Sequence, residues 1–292
     1  MTAILRTEKL TKDYGATRAL DSLNLTIAPG EIFGLLGPNG SGKSTALRLL
    51  LGFLRATSGD AFIEGHHCWR DSVEVRRRVA YLPGELRLYE SMTGRQLVKF
   101  LAELRGQPLD GDCDRLARQF DIDLSRPLVQ LSSGMKRKVA LMSVLLPKVP
   151  LVILDEPTNT LDPTMRDELL AQLREAKQRG QTILFSSHVL TEVEHVCDRV
   201  GILRLGKLVH LQSIAELHHE KTVRMRFHRA PDSWPVLLGV VTPERWGKET
   251  SVRQTGPPAS LFAWLATQDV EEVHIEPGGL SPVYQHYHGS AE

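Results

Sequence analysis

The chain has 292 residues, enough for about two domains at roughly 150 residues each. Hydrophobic residues make up 41% and charged residues 24%, and 36 Lys and Arg against 35 Asp and Glu leave a formal charge of +1, which removes the electrostatic case for general nucleic-acid binding. No apolar run reaches the ~18 residues of a membrane helix, the N-terminus has no apolar signal core, and Cys68, Cys113 and Cys197 are too few and too widely spaced for a disulfide framework, so the expectation is a cytoplasmic protein with no membrane span of its own.

Ile32 to Leu36 is a short apolar run that predicts a buried strand ending in a glycine-rich turn, and Leu47 to Leu54 follows at helical spacing. From residue 73 to 148 the chain is rich in Arg, Leu and Glu, with Leu97, Phe100, Leu101 and Leu104 at helical intervals. That stretch predicts a mainly helical insertion. Leu151 to Leu154 is too short for a helix and predicts another buried strand. Asp162-Pro163 reads as a helix start, with Gly180 as its stop. Thr182 to Phe185 and Val200 to Leu205 predict two further strands, the second turning at Leu205-Gly206-Lys207 into Leu208 to Leu211. Strand and helix in alternation predict an α/β core with parallel strands, at residues 1–218. Beyond it, Thr222 to Phe227 alternates like a half-buried strand, and prolines and glycines cluster from Pro231 to Pro258. Ser260 to Thr267 predicts a helix and Glu271 to Ile275 a strand, so residues 219–292 read as a small accessory α+β domain with Trp234, Trp246 and Trp264 in its core.

Gly37-Pro38-Asn39-Gly40-Ser41-Gly42-Lys43-Ser44-Thr45 fits G-x-x-x-x-G-K-[ST] between a predicted strand and a predicted helix. Small residues let the backbone wrap closely, so that successive N–H groups face a polyphosphate. The helix N-terminus adds partial positive charge there. Lys43 can reach the β- and γ-phosphates and the Ser44 hydroxyl can ligate Mg²⁺. Leu151-Val152-Ile153-Leu154-Asp155-Glu156-Pro157 is a buried strand ending in two acids, at the sheet end where α/β proteins bind ligands. Asp155 would reach the Mg²⁺ held by Ser44, and Glu156 would polarise a water for attack on the γ-phosphate. Together the two elements predict an NTP-binding, NTP-hydrolysing fold and leave its class open.

Leu131-Ser132-Ser133-Gly134-Met135-Lys136, about twenty residues before the acid strand, narrows the class. Here the chain resembles the ATP-binding subunit of an ABC transporter, whose signature has the form LSGGQ. Ser132 and Gly134 match, while Ser133 and Met135 replace a glycine and the glutamine. The resemblance covers about residues 3 to 215 and is nearest the single-cassette drug and antibiotic exporters (ABC-2 type). It implies a P-loop NTPase cassette with a mixed-sheet core and a helical subdomain. It also implies that Tyr14 stacks on adenine, that Ser132 and Gly134 bind the ATP of a second copy, that Asp162 in Thr160-Leu161-Asp162 crosses the dimer interface, and that His188 hydrogen-bonds toward the γ-phosphate. Gly84 stands where the family has a glutamine, with Glu85 beside it as a candidate substitute. Leu280 to Gly289 resembles the final helix of the C-terminal domain of some relatives.

The function so implied is ATP hydrolysis by a head-to-tail homodimer, with Lys43, Glu156 and His188 catalytic, powering export through a membrane permease on a separate chain. The chain would then sit peripherally on the inner face of the cell membrane. An importer ATPase, a soluble ABC-type ATPase acting on nucleic acid or the ribosome, and a regulatory nucleotide-binding module are the alternatives. One phosphate loop, no long heptad run and no basic excess weigh against the second, and intact Lys43, Asp155, Glu156 and His188 against the third.

Overall fold

The computed structural model describes residues 3–107, 109, 111–229, 231, 244–246, 249–255 and 259–288. The chain opens with two long strands, β1 (Leu5–Tyr14) and β2 (Thr17–Ile27), paired antiparallel from Leu5↔Ile27 to Tyr14↔Thr17. Neither is among the strands predicted from sequence. The register shifts after Thr7, Leu10 and Lys12 break the two-residue alternation that would announce them. There follow β3 (Ile32–Leu36), α1 (Lys43–Leu50), β4 (Ser58–Ile63), β5 (His66–His67), α2 (Ser72–Arg78) and β6 (Val79–Leu82). After these come α3 (Gly94–Leu104), α4 (Asp112–Gln119), α5 (Ser133–Leu145), β7 (Leu151–Asp155), α6 (Pro163–Gln178), β8 (Thr182–Ser187), α7 (Leu190–Val196), β9 (Arg199–Arg204) and β10 (Lys207–Ser213).

Two sheets result, a four-stranded one in the order β2-β1-β4-β5 and a six-stranded one in the order β10-β9-β3-β8-β7-β6. In the larger sheet β9, β3, β8, β7 and β6 run parallel. Every residue of β3, β7 and β8 is buried, so these strands are covered on both faces. On one face α1 lies between the two sheets, and Leu47 and Leu50 share a core with Leu5, Leu20, Ile27, Leu35, Ile153 and Leu184. On the other face α7 packs so closely that a Cβ at Gly34 would stand 2.6 Å from Val193 Cγ1. The core is therefore mixed, not purely parallel, as the resemblance implies.

The helical insertion is shorter than residues 73–148. β6 pairs Val79↔Leu151 to Leu82↔Leu154 and belongs to the large sheet, so the helical part begins with α3. Thr93 and Gln96 form a reciprocal capping box at its start. Among the described residues no helix is long and apolar enough to cross a membrane.

The chain divides into two compact units, Met1–Leu211 and Gln212–Glu292, against an expected boundary at 218. The second unit holds α8 (Ile214–His219), β11 (Glu220–Phe227), β12 (Glu244–Trp246), β13 (Glu249–Thr255), α9 (Ala259–Leu265), β14 (Val270–Pro277) and α10 (Leu280–His288). Its sheet is antiparallel in the order β12-β13-β11-β14. Val223, Met225 and Phe227, alternate residues of β11, bury against Val252, Leu261 and Leu265, with Trp264 packed on them. Trp234 and most of the proline cluster lie outside the described residues, and Trp246 is described only as part of the β12 backbone.

Leu47 is fully buried between the sheets. Leu47→Ala is expected to cost about 2–5 kcal/mol through lost transfer energy and the cavity left behind. A lowered denaturant midpoint with an unchanged slope would report it.

Candidate active site

β3, β8 and β7 lie side by side and end level, with Leu36 paired to Ser187 and Asp155 to Ser186. Gly37, His188 and Glu156, the residues that leave these strands, therefore meet at the carboxyl end of the sheet, where parallel strands open a ligand crevice.

Residues 37–42 wrap from β3 into α1. A Cβ at Gly37 would lie 2.4 Å from Ser41 Oγ. A Cβ at Gly42, whose φ is +107, would lie 2.6 Å from the Ala19 carbonyl oxygen. Only glycine closes this turn at those two points. The Gly206 N–H donates to the Ser41 carbonyl at 3.0 Å and pins the loop to the β9–β10 turn. Lys43 is 5% exposed, and its ammonium donates to the carbonyls of Gly37 (2.6 Å) and Pro38 (3.2 Å). Among the described residues the Ser41 hydroxyl is buried without a hydrogen-bond partner. Such an orphan costs on the order of 1–3 kcal/mol. A phosphate oxygen would satisfy it at a helix N-terminus that already favours anions. Ser44, in the first turn of α1, is exposed and Thr45 half-buried.

The acid pair is held differently at its two members. Asp155 is buried and its Oδ1 accepts from the Ser186 hydroxyl at 2.6 Å. Its Oδ2 takes no hydrogen bond among the described residues and faces Gly84, whose Cβ position is 3.6 Å away. Glu156 turns through a left-handed backbone, φ +46, with its N–H donating to the Ser186 carbonyl and hydroxyl oxygens. Its carboxylate lies between three groups. Lys43 Nζ stands 3.5 Å from Oε1, the Asn159 amide donates to Oε2 at 2.8 Å, and His188 Nδ1 stands 3.4 Å from Oε2. Burial pushes the Glu156 carboxyl up, but the Asn159 hydrogen bond and the Lys43 and His188 charges outweigh it and hold it below the usual glutamate value.

The structure thus brings Lys43, Glu156 and His188 together, with Asp155 beside them. The remaining expected site residues lie elsewhere on the same unit. Tyr14, at the end of β1, is 46% exposed with the Lys12 ammonium 5.2 Å above its ring. Ser132 caps α5, accepting from the Met135 N–H at 3.2 Å. Gly134 approaches the chain after β7, a Cβ there standing 3.1 Å from the Thr160 carbonyl oxygen. Asp162 caps α6, accepting from the Met165 N–H at 2.9 Å. Glu85 is exposed.

Four residues close to the site were not found from sequence. Ser186 bridges both acids, and Asn159 orients Glu156. Glu192, buried on α7, accepts from the hydroxyls of Thr158 and Ser187. Arg137, buried on α5, donates to the carbonyls of Pro83, Gly84 and Asn159. The Ser186-Ser187 pair before His188 was a usable signal, because hydroxyls at a buried strand end need partners.

The ABC transporter family model matches residues 20–159. The bacitracin transport ATP-binding protein BcrA of Bacillus licheniformis is 35% identical over 243 residues, which is 82% of this chain and 79% of that protein. The chain belongs to the ATP-binding proteins of ABC transporters. It is accordingly an ATPase coupled to transport. The lantibiotic transport ATP-binding protein SrtF of Streptococcus pyogenes is 35% identical over 208 residues, 70% of this chain and 89% of that protein. A solved ATP-binding subunit of an ABC transporter superposes with a TM-score of 0.68 at 31% identity, over 74% of this chain and 92% of that one. A dimeric ATP-binding cassette in a post-hydrolysis state with ADP and Pi shares the fold, with a TM-score of 0.65 at 21% identity over 72% of this chain and 98% of that one.

In this cassette the low Glu156 value has a sign that can be checked. Because the folded value lies below the unfolded one, the ionised carboxylate stabilises the fold above the ordinary value of 4.5, and that contribution is lost as pH falls through the folded value. NMR titration of the Glu156 carboxyl in the nucleotide-free chain should give a midpoint below 4.5, and Asn159→Ala should move it up.

Proposed function

We propose that two copies of this chain close head to tail on two ATP molecules, and that the cycle powers export of an antibiotic or similar compound through a membrane permease on a separate chain. Each ATP is held between the phosphate loop of one copy and the Ser132 segment of the other, with Tyr14 against the adenine and Asp162 at the interface. Export is supported by relatives whose names refer to bacitracin, lantibiotic and linearmycin resistance or transport. The chain works at the inner face of the cell membrane, docked on that permease.

The observation that carries the chemistry is the Glu156 carboxylate, set between Lys43 and His188 at 3.5 and 3.4 Å. Lys43 gives up its loop carbonyls for the β- and γ-phosphates, and the Ser41 hydroxyl gains the acceptor it lacks. Ser44 and Asp155 are the residues that would hold Mg²⁺, and the unbonded Asp155 Oδ2 is the hard oxygen such an ion takes. When bound, the ion neutralises charge on the phosphates. Glu156 is ionised at neutral pH and a weak base, so it orients and polarises the water more than it stores its proton. The water oxygen attacks the γ-phosphorus, and the bond to the bridging oxygen breaks so that ADP leaves with that oxygen. The water's proton passes by way of Glu156 to the released phosphate or to solvent, and His188 donates a hydrogen bond to the phosphoryl group in transit. Loss of that group removes the bridge between copies and reopens them.

Glu156→Gln should keep MgATP affinity, lower kcat by about a thousandfold or more and trap an ATP-dependent dimer visible by light scattering. Adding Ser132→Arg should abolish that dimer and leave ATP binding by the monomer intact. Lys43→Ala should lose MgATP binding altogether. Wild-type turnover by Glu156→Gln, or an undisturbed dimer in the double variant, would refute the corresponding part of this reading.

A further inference from the structure

We infer that Arg137 is a positioning residue for hydrolysis, locking α5 to the loop at Gly84 and to the turn at Asn159, and so doing in this chain the work of the side chain that Gly84 lacks. The inference rests on the proposed two-copy cycle for its functional meaning, and on geometry for its physical content. Lys136, Arg137 and Lys138 follow one another on α5, but only Arg137 is buried, at 3% exposed. Lys136 turns outward to Glu90. A buried charge is costly unless it is bonded and matched. Among the described residues Arg137 has no ion-pair partner. It spends its fork on carbonyl oxygens of two separate segments, Nη1 to Pro83 at 3.0 Å, Nη2 to Gly84 at 2.9 Å and Nε to Asn159 at 3.3 Å. Lysine, with donors on a single nitrogen, lacks the planar fork that spans such a set.

Both segments flank the acid pair. Pro83-Gly84 leaves β6, whose register against β7 sets it beside Asp155. Asn159 is the residue whose amide holds Glu156 Oε2. Burial pulls the Arg137 guanidinium down, while the Asp155 and Glu156 carboxylates, though not bonded to it, act the other way. Gly84 is no backbone necessity: its φ is not left-handed, and a Cβ would meet Asp155 only at an ordinary 3.6 Å. A side chain fits there and none is present, so the loop is tied to α5 through its carbonyls instead. The N-terminal end of α5, about one turn before Arg137, carries Ser132, the group proposed to meet the second copy's ATP. Arg137 thereby makes α5 a rigid link from that contact to the carboxylate that handles the water.

Three variants of the full chain test this: Arg137→Gln, Arg137→Lys, and Arg137→Gln combined with Gly84→Gln. For Arg137→Gln, kcat should fall by about tenfold or more, as misplacement by a fraction of an ångström does. The ATP KM and the MgATP affinity should stay within about a factor of two of wild type, because the phosphate loop is untouched. Arg137→Lys should recover less than half of the lost rate, and Gly84→Gln should restore several-fold of it. Hydrogen exchange of peptides spanning 83–86 and 156–160 should quicken in Arg137→Gln and slow again in the double variant. Wild-type kcat in Arg137→Lys, a parallel change of KM and kcat, or no rescue by Gly84→Gln would overturn the inference. A wild-type chain without ATPase activity would instead sink the proposed cycle, and the exchange measurement would still decide whether Arg137 holds the two segments.

Discussion

The register of three neighbouring parallel strands is the constraint on which the site depends. Lys43 is almost fully buried, and a buried ammonium survives only where acceptors surround it. Two of its acceptors come from its own loop, and the third, Glu156, leaves β7, two places away across β8. The pair meets because Leu36, Ser187 and Ser186 bring the three strand ends level with Asp155. A slip of one residue in either ladder would exchange the side chains that face α1 for those that face α7 and carry Glu156 away from the ammonium. The full burial of β3, β7 and β8, with α1 on one face and α7 on the other, forbids that slip.

Around this register a polar network holds the exits of the strands. The Ser186 hydroxyl accepts from the Glu156 N–H and donates to Asp155, so one side chain of the middle strand orders both acids. The Glu156 backbone lies in the left-handed region, which a non-glycine residue adopts only when its surroundings insist. Here they do, from Ser186 on one side and Asn159 on the other. Glu192 then ties Thr158 to Ser187, so the turn after β7 and the end of β8 share a buried anchor on α7.

What the sequence made legible was local. The phosphate loop, the run Leu151 to Glu156 and the strand before His188 each carry their signal within a few residues, and the structure puts each on the predicted element. What it hid depends on distance or irregularity. β1 and β2 hide because their bulges spoil alternation. Arg137 sits in a basic triplet, and only the packing of α5 against β6 separates it from Lys136 and Lys138. Asn159 and Glu192 matter through partners three and more than thirty residues away.

The two adjacent acids show how environment divides one chemistry into two. Asp155 is dry, fixed by one hydroxyl at Oδ1 and bare at Oδ2, a fixed oxygen with a lone pair to give. Glu156 is partly wet and surrounded by the Lys43 ammonium, the His188 ring and the Asn159 amide. Such surroundings favour the ionised form and depress its basicity together. A carboxylate so held is poor at keeping a proton and good at holding the orientation of a neighbouring dipole. The same inequality explains why a glycine is tolerable at position 84. The bare oxygen of Asp155 is already fixed through Ser186, so the loop opposite needs only to be kept in place, and its own carbonyls suffice as handles.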